Sequence, residues 1–320
     1  IKYFSSAVAA YSHQTLPAIL LLHDWHAALV SKLLADVHKN TIVKSVFIVH
    51  VANIDCGRFA SDKLQGIGLK FSEKFQLLKA IGLKSAHKVI AVSPSFLDEC
   101  LNLKSTNSAV DAIRRIFVWL SINNPGKLMS ILNGFDFNAY CPIGRHLVDP
   151  CDVVGSKMKL KIELSQRLCG WFSSWRIDPT LPIIFYIGRY SKEKIGNEFA
   201  QIIEATRGRA VLFALGRGIT DEVYNAMRKY NYTSNVLISN NEADQNLYRD
   251  IAEAAADFSL ISSRREAFCC VAPEGLANGR LCITTRVGGL QHTIFPFEYE
   301  DPNHTTGNGF IYKYQDNNEV

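Results

Sequence analysis

Short apolar runs rich in β-branched residues recur along the chain, and longer stretches with helical spacing lie between most of them. In the first half the runs are Ala18 to Leu22, Val43 to Val49, Lys88 to Val92 and Leu128 to Leu132. In the second half they are Ile183 to Ile187, Ala210 to Leu215, Val236 to Ile238, Asp257 to Ile261 and Leu281 to Thr284. Continuous apolar runs of this length predict strands covered on both faces. Phe71 to Leu83 and Asp244 to Ala256 are examples of the helices expected between them. Strand alternating with helix predicts βαβ units and parallel sheets, an α/β class. The two series are separated by Cys141 to Thr180, which holds Pro142, Gly144, Pro150, Gly155, Pro179 and the basic stretch Lys157-Met158-Lys159-Leu160-Lys161. A hinge is expected there, between domains at residues 1–150 and 151–320.

The residues just past each run carry the chemistry. His23-Asp24-Trp25-His26 comes after the first, His50 after the second, Ser93-Pro94 after the third and Asn133-Gly134 after the fourth. In the second half the run ends carry Gly188-Arg189, Gly216-Arg217-Gly218, Asn240-Asn241, Ser262-Ser263-Arg264 and Thr284-Thr285-Arg286. Open α/β sheets bind ligands outside the carboxyl ends of their strands. Two sheets whose strand ends meet across a hinge would form one cleft, the geometry of a two-substrate transferase.

Composition narrows the field. The 320 residues are 48% hydrophobic and 20% charged, with a net charge of only +5, enough for a large core and too balanced to argue for nucleic acid. No apolar run approaches the roughly 20 residues that span a bilayer. The eight cysteines include no CxxC pair, so a zinc site is not expected. Reduced thiols in a cytosol-like compartment are the simplest reading. The glycine loop Gly216-Arg217-Gly218 lacks the third glycine of a dinucleotide fingerprint, which disfavours a nicotinamide enzyme.

Within Gly188-Arg189-Tyr190-Ser191-Lys192-Glu193-Lys194-Ile195-Gly196, Arg189 and Lys194 lie five positions apart just after a strand. Fixed cations and backbone N–H groups at such a strand end suit a diphosphate leaving group, although an isolated pair of this spacing is more often a solvated basic loop. Glu266 and Glu274 are eight positions apart. Pro273 and the small residues around it place Glu266 in the loop before a helix rather than on it. Arg286-Val287-Gly288-Gly289-Leu290 pairs two glycines after another strand, where backbone can approach phosphate or sugar hydroxyls.

The order of these segments is their most specific property. His23-Asp24-Trp25-His26-Ala27-Ala28-Leu29, Lys44-Ser45-Val46-Phe47-Ile48-Val49-His50, Ala91-Val92-Ser93-Pro94-Ser95-Phe96 and Leu132-Asn133-Gly134-Phe135-Asp136 resemble the first domain of bacterial glycogen synthases and plant starch synthases. The segments from Gly188, Ala256, Ser262 and Arg286 continue the resemblance through the second domain. The synthase domain of fungal cell-wall α-glucan synthases is similar too. The resemblance implies a GT-B fold of two Rossmann-like domains and retaining transfer of glucose from ADP- or UDP-glucose to an α-glucan, with no metal or other cofactor. It implies that Arg189 and Lys194 hold the diphosphate and that Glu266 contacts the glucosyl hydroxyls. His50 and Asn133 would face the sugar, Asp24 would shape the sugar and acceptor side, and Gly288 and Gly289 would offer N–H groups to the phosphates. Glu274 would lie nearer the ribose.

Two departures stand out. Val51, Ile54, Asp55, Cys56 and Gly57 replace the family's usual residues after His50, and Ala267, Phe268 and Cys269 replace its usual proline, variable residue and glycine after Glu266. A glucan- or nucleotide-sugar-binding protein without turnover, and a related retaining transferase with another acceptor, therefore stand as alternatives. A cytoplasmic setting is expected, with a plastid stroma or the cytosolic part of a membrane protein as alternatives. The family's opening strand and lysine-containing glycine-rich loop do not precede Ile1, and its closing helices do not follow Val320. The chain is thus expected to be a fragment with poor activity alone.

Overall fold

The computed structural model describes residues 2–16, 19–51, 58–70, 75–102, 108–140, 148–171, 177–195, 198–231, 235–297 and 306–313. It contains two compact units, Ile1–Asn133 and Gly134–Val320.

The first unit runs α1 (Lys2–Thr15), β1 (Ile19–His23), α2 (Asp24–Asp36), β2 (Lys44–Val49), β3 (Arg58–Ala60), β4 (Phe75–Leu77), α3 (Leu78–Ser85), β5 (Lys88–Ala91), α4 (Pro94–Asn102), α5 (Ser108–Asn123) and β6 (Leu128–Ser130). Strands β1, β2, β5 and β6 form a parallel sheet in that order. Phe47 and Val49 from β2, Val89 from β5, Leu29 and Leu33 from α2 and Leu78 and Leu83 from α3 are all buried. Each such side chain contributes about 1.5–3 kcal/mol on burial. Helix α3 approaches so closely at Gly82 that a Cβ there would lie 2.6 Å from the Phe47 ring.

The stretch Phe71 to Leu83 is not the single helix its spacing predicts. Within its described part, Phe75–Leu77 is a strand paired antiparallel with Arg58–Ala60, and only Leu78–Ser85 is helical. Pairing with a distant segment overrode the local helical spacing.

The second unit runs α6 (Phe137–Tyr140), α7 (Val153–Trp171), β7 (Ile183–Arg189), α8 (Glu198–Thr206), β8 (Val211–Arg217), α9 (Asp221–Tyr230), β9 (Val236–Ser239), α10 (Glu242–Ala255), β10 (Phe258–Ile261), α11 (Val271–Ala277), β11 (Leu281–Thr285), α12 (Leu290–Thr293) and β12 (Gly309–Tyr312). Its six parallel strands are ordered β12-β11-β10-β7-β8-β9. Alternate residues of β7 feed opposite faces: Ile183 and Phe185 pack with α7 and α10, and Ile184 and Tyr186 pack with α8 and α9. The strand order reverses at β7, so the crevice outside its carboxyl end is where such a sheet binds a ligand. Side chains cap two helices whose amino ends lie at this edge. Thr220 Oγ1 accepts the Val223 N–H, and Asn241 Oδ1 accepts the Ala243 N–H at 2.9 Å.

The basic stretch of the expected hinge belongs to this unit's core. Leu160, Leu164 and Leu168 recur at helical spacing on α7 and are buried, and Lys157 and Lys161 share that side. The Lys157 ammonium donates to the carbonyls of Ala254, Ala256 and Asn278. Lys161 pairs with Asp257 at 2.7 Å, whose carboxylate also accepts the Ile183 N–H at 2.7 Å. Burial pushes Lys157 down to about 8. No helix among the described residues is long and apolar enough to cross a membrane.

The architecture is the expected one at the level of each unit: α/β, with a parallel-stranded sheet packed against helices.

Candidate active site

In the second unit, Arg189 is the last residue of β7 and the register partner of Arg217, the last residue of β8. Two exposed arginines thus stand side by side where the strand order reverses. The loop after Arg189 is tightly held. The Tyr190 N–H donates to the Arg217 carbonyl at 2.8 Å, the Tyr190 hydroxyl donates to the Ser239 carbonyl at 3.0 Å, and its ring stacks on Tyr186. Gly216 makes room for that ring, since a Cβ there would lie 2.5 Å from it. The N–H groups of Ser191, Lys194 and Ile195 are bonded to carbonyls within the same loop. These three N–H groups are therefore already used within the loop. Gly196 lies outside the described residues.

Lys194 and Glu266 come together as an ion pair joining the loops after β7 and β10. Ser263 Oγ donates to the same Glu266 oxygen at 2.6 Å. Ser262 Oγ donates to the Lys194 carbonyl at 2.8 Å, and the Arg264 N–H donates to the Glu193 carbonyl at 2.8 Å. Glu266 sits in the loop before α11, as its sequence context predicts. Gly288, at φ +47°, packs against the Glu266 carbonyl, where a Cβ would lie 1.4 Å from the oxygen. The Gly289 N–H donates to that carbonyl at 3.3 Å. The Gly289 N–H thus helps to seat the Glu266 loop.

Cys269, three residues past Glu266, is buried and adopts φ +78°, a left-handed conformation that favours glycine. Burial raises its thiol well above the usual range.

Glu274 lies elsewhere, on α11. It lines an open pocket of about 430 Å³ together with Ile187, Gly188, Arg189, Arg217, Gln245, Arg249 and Val271. Arg249 bridges two carboxylates: its Nε donates to Glu253 at 2.7 Å, and its Nη2 stands 3.8 Å from Glu274. Burial is the main cause that raises the Glu274 pKa, and the Glu253 charge adds to it; Arg249 and Arg280 oppose both. Gln245 Nε2 donates to the Gly216 carbonyl at 2.6 Å.

In the first unit the strand ends assemble a second cluster. His23 ends β1 and His50 lies just past β2, and their rings stack with Nδ1 of His23 2.9 Å from Nε2 of His50. Asp24 is buried at φ +51°, a conformation that costs a non-glycine residue about 1–2 kcal/mol. Its Oδ1 accepts the Trp25 N–H at 2.8 Å and lies 3.3 Å from the Lys79 ammonium. Burial is the first cause that lowers the His50 pKa, His23 and Lys79 lower it further, and Asp24 opposes them. Asn133 is half-buried past the end of β6, on the same carboxyl edge. The departures at Ile54 to Gly57 lie outside the described residues.

Sequence reasoning missed Lys79, Gln245 and Arg249, and gave little weight to Arg217. Lys79 could have been found as the one charge in Leu77-Leu78-Lys79-Ala80-Ile81, and Arg249 by its helical spacing to Glu253. Among the described residues, no group of three His, Cys, Asp or Glu is placed to hold a metal ion, and the described cysteines are free thiols.

Comparison with known proteins places these residues in context. Residues 1–115 match the starch synthase catalytic domain family, and residues 171–319 match glycosyl transferases group 1. The chain is 28% identical over 300 residues to a glycogen synthase of Flavobacterium johnsoniae, covering 88% of this chain and 59% of that protein. It is 26% identical over 319 residues to a glycogen synthase of Pectobacterium atrosepticum, covering 94% and 62%. It thus spans about three fifths of the length of these relatives. Its fold is similar to the catalytic domain of starch synthase IV from Arabidopsis thaliana, solved with ADP and acarbose. The TM-score is 0.79 at 20% identity, covering 99% of this chain and 66% of that one. A sucrose-phosphate synthase from Thermosynechococcus elongatus matches at TM-score 0.58 and 18% identity, covering 98% and 65%.

Proposed function

We propose that the chain, which matches the starch synthase catalytic domain family and glycosyl transferases group 1 in its two parts, is a glycosyltransferase of the starch and glycogen synthase type that moves glucose from ADP- or UDP-glucose to the non-reducing end of an α-glucan with retention of configuration. The observation that carries this reading is the Lys194–Glu266 pair, hung on Ser263 beside the strand-end Arg189. The diphosphate of an incoming donor takes Glu266's place as the partner of Lys194, and Arg189 adds a second cation. Glu266, released, accepts hydrogen bonds from the glucosyl hydroxyls. The bond from the anomeric carbon to the phosphate oxygen breaks, and the bond to the acceptor oxygen forms on the same face. The acceptor's hydroxyl proton passes to the departing phosphate, so no side chain need act as general base. Charge build-up on the leaving group is met by fixed cations, which lowers the barrier without reorganisation. Glu274 and Arg249 belong to the nucleoside end of the donor, and His50, Asp24 and Asn133 to the sugar and acceptor.

Titration calorimetry with ADP-glucose and UDP-glucose, followed by glucose transfer to glycogen, tests the reading. Binding of at least one donor with transfer that persists in EDTA is the expected result. Absence of donor binding, or transfer that EDTA abolishes and a divalent ion restores, overturns it. Cys269 favours one other reading, donor binding without turnover, because its side chain stands where the family usually has a glycine. Binding without any transfer would select that reading.

A further inference from the structure

The first unit contains a charge that the proposed reaction does not use. Lys79, the second residue of α3, is only 1% exposed. A lysine beside a surface ordinarily extends its ammonium to water. Lys79 instead directs it at two loops. The ammonium is 3.3 Å from Asp24 Oδ1 and donates to the Val51 carbonyl. Asp24 directly follows His23, and Val51 directly follows His50. One buried cation therefore grips the residue next to each histidine of the 2.9 Å ring–ring contact.

We propose that Lys79 is a positioning residue, a tether that fixes the strand-end loops bearing Asp24 and His50 so that His23 and His50 remain one hydrogen-bonded pair. The tether itself stands on the geometry; what the pair does in glucose transfer rests on the proposed function.

Three features make this more than a packing role. The left-handed backbone of Asp24 is held from both sides, by Trp25 N–H and by Lys79 on the same carboxylate oxygen. A ring–ring hydrogen bond needs one N–H and one lone pair, so it survives only while at least one histidine is neutral. The charged and titratable groups acting on His50 are Asp24, His23 and Lys79, and of these Lys79 and His23 oppose its protonation. Loss of Lys79 removes a cation and leaves Asp24 uncompensated, and both changes favour the charged imidazole.

The test is a histidine-selective NMR titration of the full chain as wild type, Lys79→Met, Asp24→Asn and the double variant. His50 should titrate at higher pH in Lys79→Met than in wild type, and at higher pH in the double variant than in Asp24→Asn. Should Lys79→Met fail to fold, the second comparison decides alone, since the double variant leaves neither charge unpaired. Identical His50 titrations within the folded pair or pairs overturn the proposal. In the transfer assay, each single variant should lower kcat about a hundredfold while the donor KM stays within about twofold. The double variant should be no slower than the worse single one. Losses that multiply overturn the tether as well. A wild type that transfers no glucose overturns the proposed function instead, and the titration still decides the role of Lys79.

Discussion

Each unit ties two strand-end loops together with a lysine–carboxylate pair, and the two pairs are built for different purposes. In the first unit the Lys79 side chain is 2% exposed and that of Asp24 11%. In the second, Lys194 is 25% exposed and Glu266 10%. Taking an ammonium fully out of water is costly, and the cost is offset only while its partners stay in place. Such a cation cannot exchange ligands cheaply. Lys194 keeps part of its hydration and is paired with a carboxylate, an acceptor that a phosphate can replace with equal charge. On the proposed reading, the same two functional groups serve as a rivet where water is excluded and as an exchangeable clamp where it is not.

The largest expected effect tests the rivet. Lys79→Met leaves the Asp24 carboxylate buried without its cation, a change that costs about 3–5 kcal/mol of stability. Denaturant unfolding reads it, and a loss below about 1 kcal/mol would place the pair among ordinary solvated ones and end the contrast.

Next comes the clamp. Lys194→Ala should slow transfer about a hundredfold, equivalent to about 3 kcal/mol in the barrier. Its stability should fall by less than in Lys79→Met, because Ser263 Oγ still donates to the Glu266 carboxylate. Near-normal turnover, or a large drop in stability, would show that this pair is structural too.

A third measurement separates the carboxylates of the second unit. Glu266→Gln should lower kcat more than Glu274→Gln, whose effect falls on donor binding; the opposite ranking would move the reacting centre to α11. Glu274 also carries a stability signature. Its folded pKa lies above its unfolded value, so the native state keeps this proton to higher pH. Wild-type stability should therefore fall as pH rises from the ordinary carboxylate value to the raised one, and Glu274→Gln should lack that fall.

The smallest effect concerns Cys269→Gly. Release of left-handed strain, about 1–2 kcal/mol, is offset by lost thiol burial and by the flexibility of an unfolded glycine, about 0.5–1 kcal/mol. Thermal unfolding should change by no more than about 1 kcal/mol in either direction. Faster transfer in this variant would identify the thiol as a brake on the Glu266 loop.

The sequence made the long buried strands easy to read, and for a physical reason. Ile183–Arg189 and Val211–Arg217 are covered on both faces, so their apolar runs are continuous and bounded by the polar residues of the strand ends. The positions of Arg189, Lys194, Glu266 and His50 at or shortly beyond strand ends were legible because the apolar runs of β2, β7 and β10 mark where those strands stop. The hairpin of Arg58–Ala60 and Phe75–Leu77 was not, since three-residue strands are defined by pairing rather than by pattern. Lys157 and Lys161 read only as the basic stretch of an expected hinge because composition does not reveal that α7 turns them toward carbonyls and Asp257. Lys79 was missed for a related reason. Its apolar neighbours mark it as an unusual charge, but what it holds is visible only once its partners, Asp24 and Val51, are known, and both lie at least 28 positions away in sequence.

Gly288 has a consequence for anyone surveying this protein by saturation mutagenesis. With its Cβ position 1.4 Å from the Glu266 carbonyl oxygen, every substitution there must push the Glu266 loop aside. Position 288 will then score with the reacting residues in an activity map although it need touch neither donor nor acceptor. An inhibitor programme or a variant-interpretation scheme that ranks positions by intolerance alone would assign it a chemical role. Pairing the activity map with a map of donor affinity would tell the two apart, because displacing the loop disturbs both while a purely chemical defect spares binding.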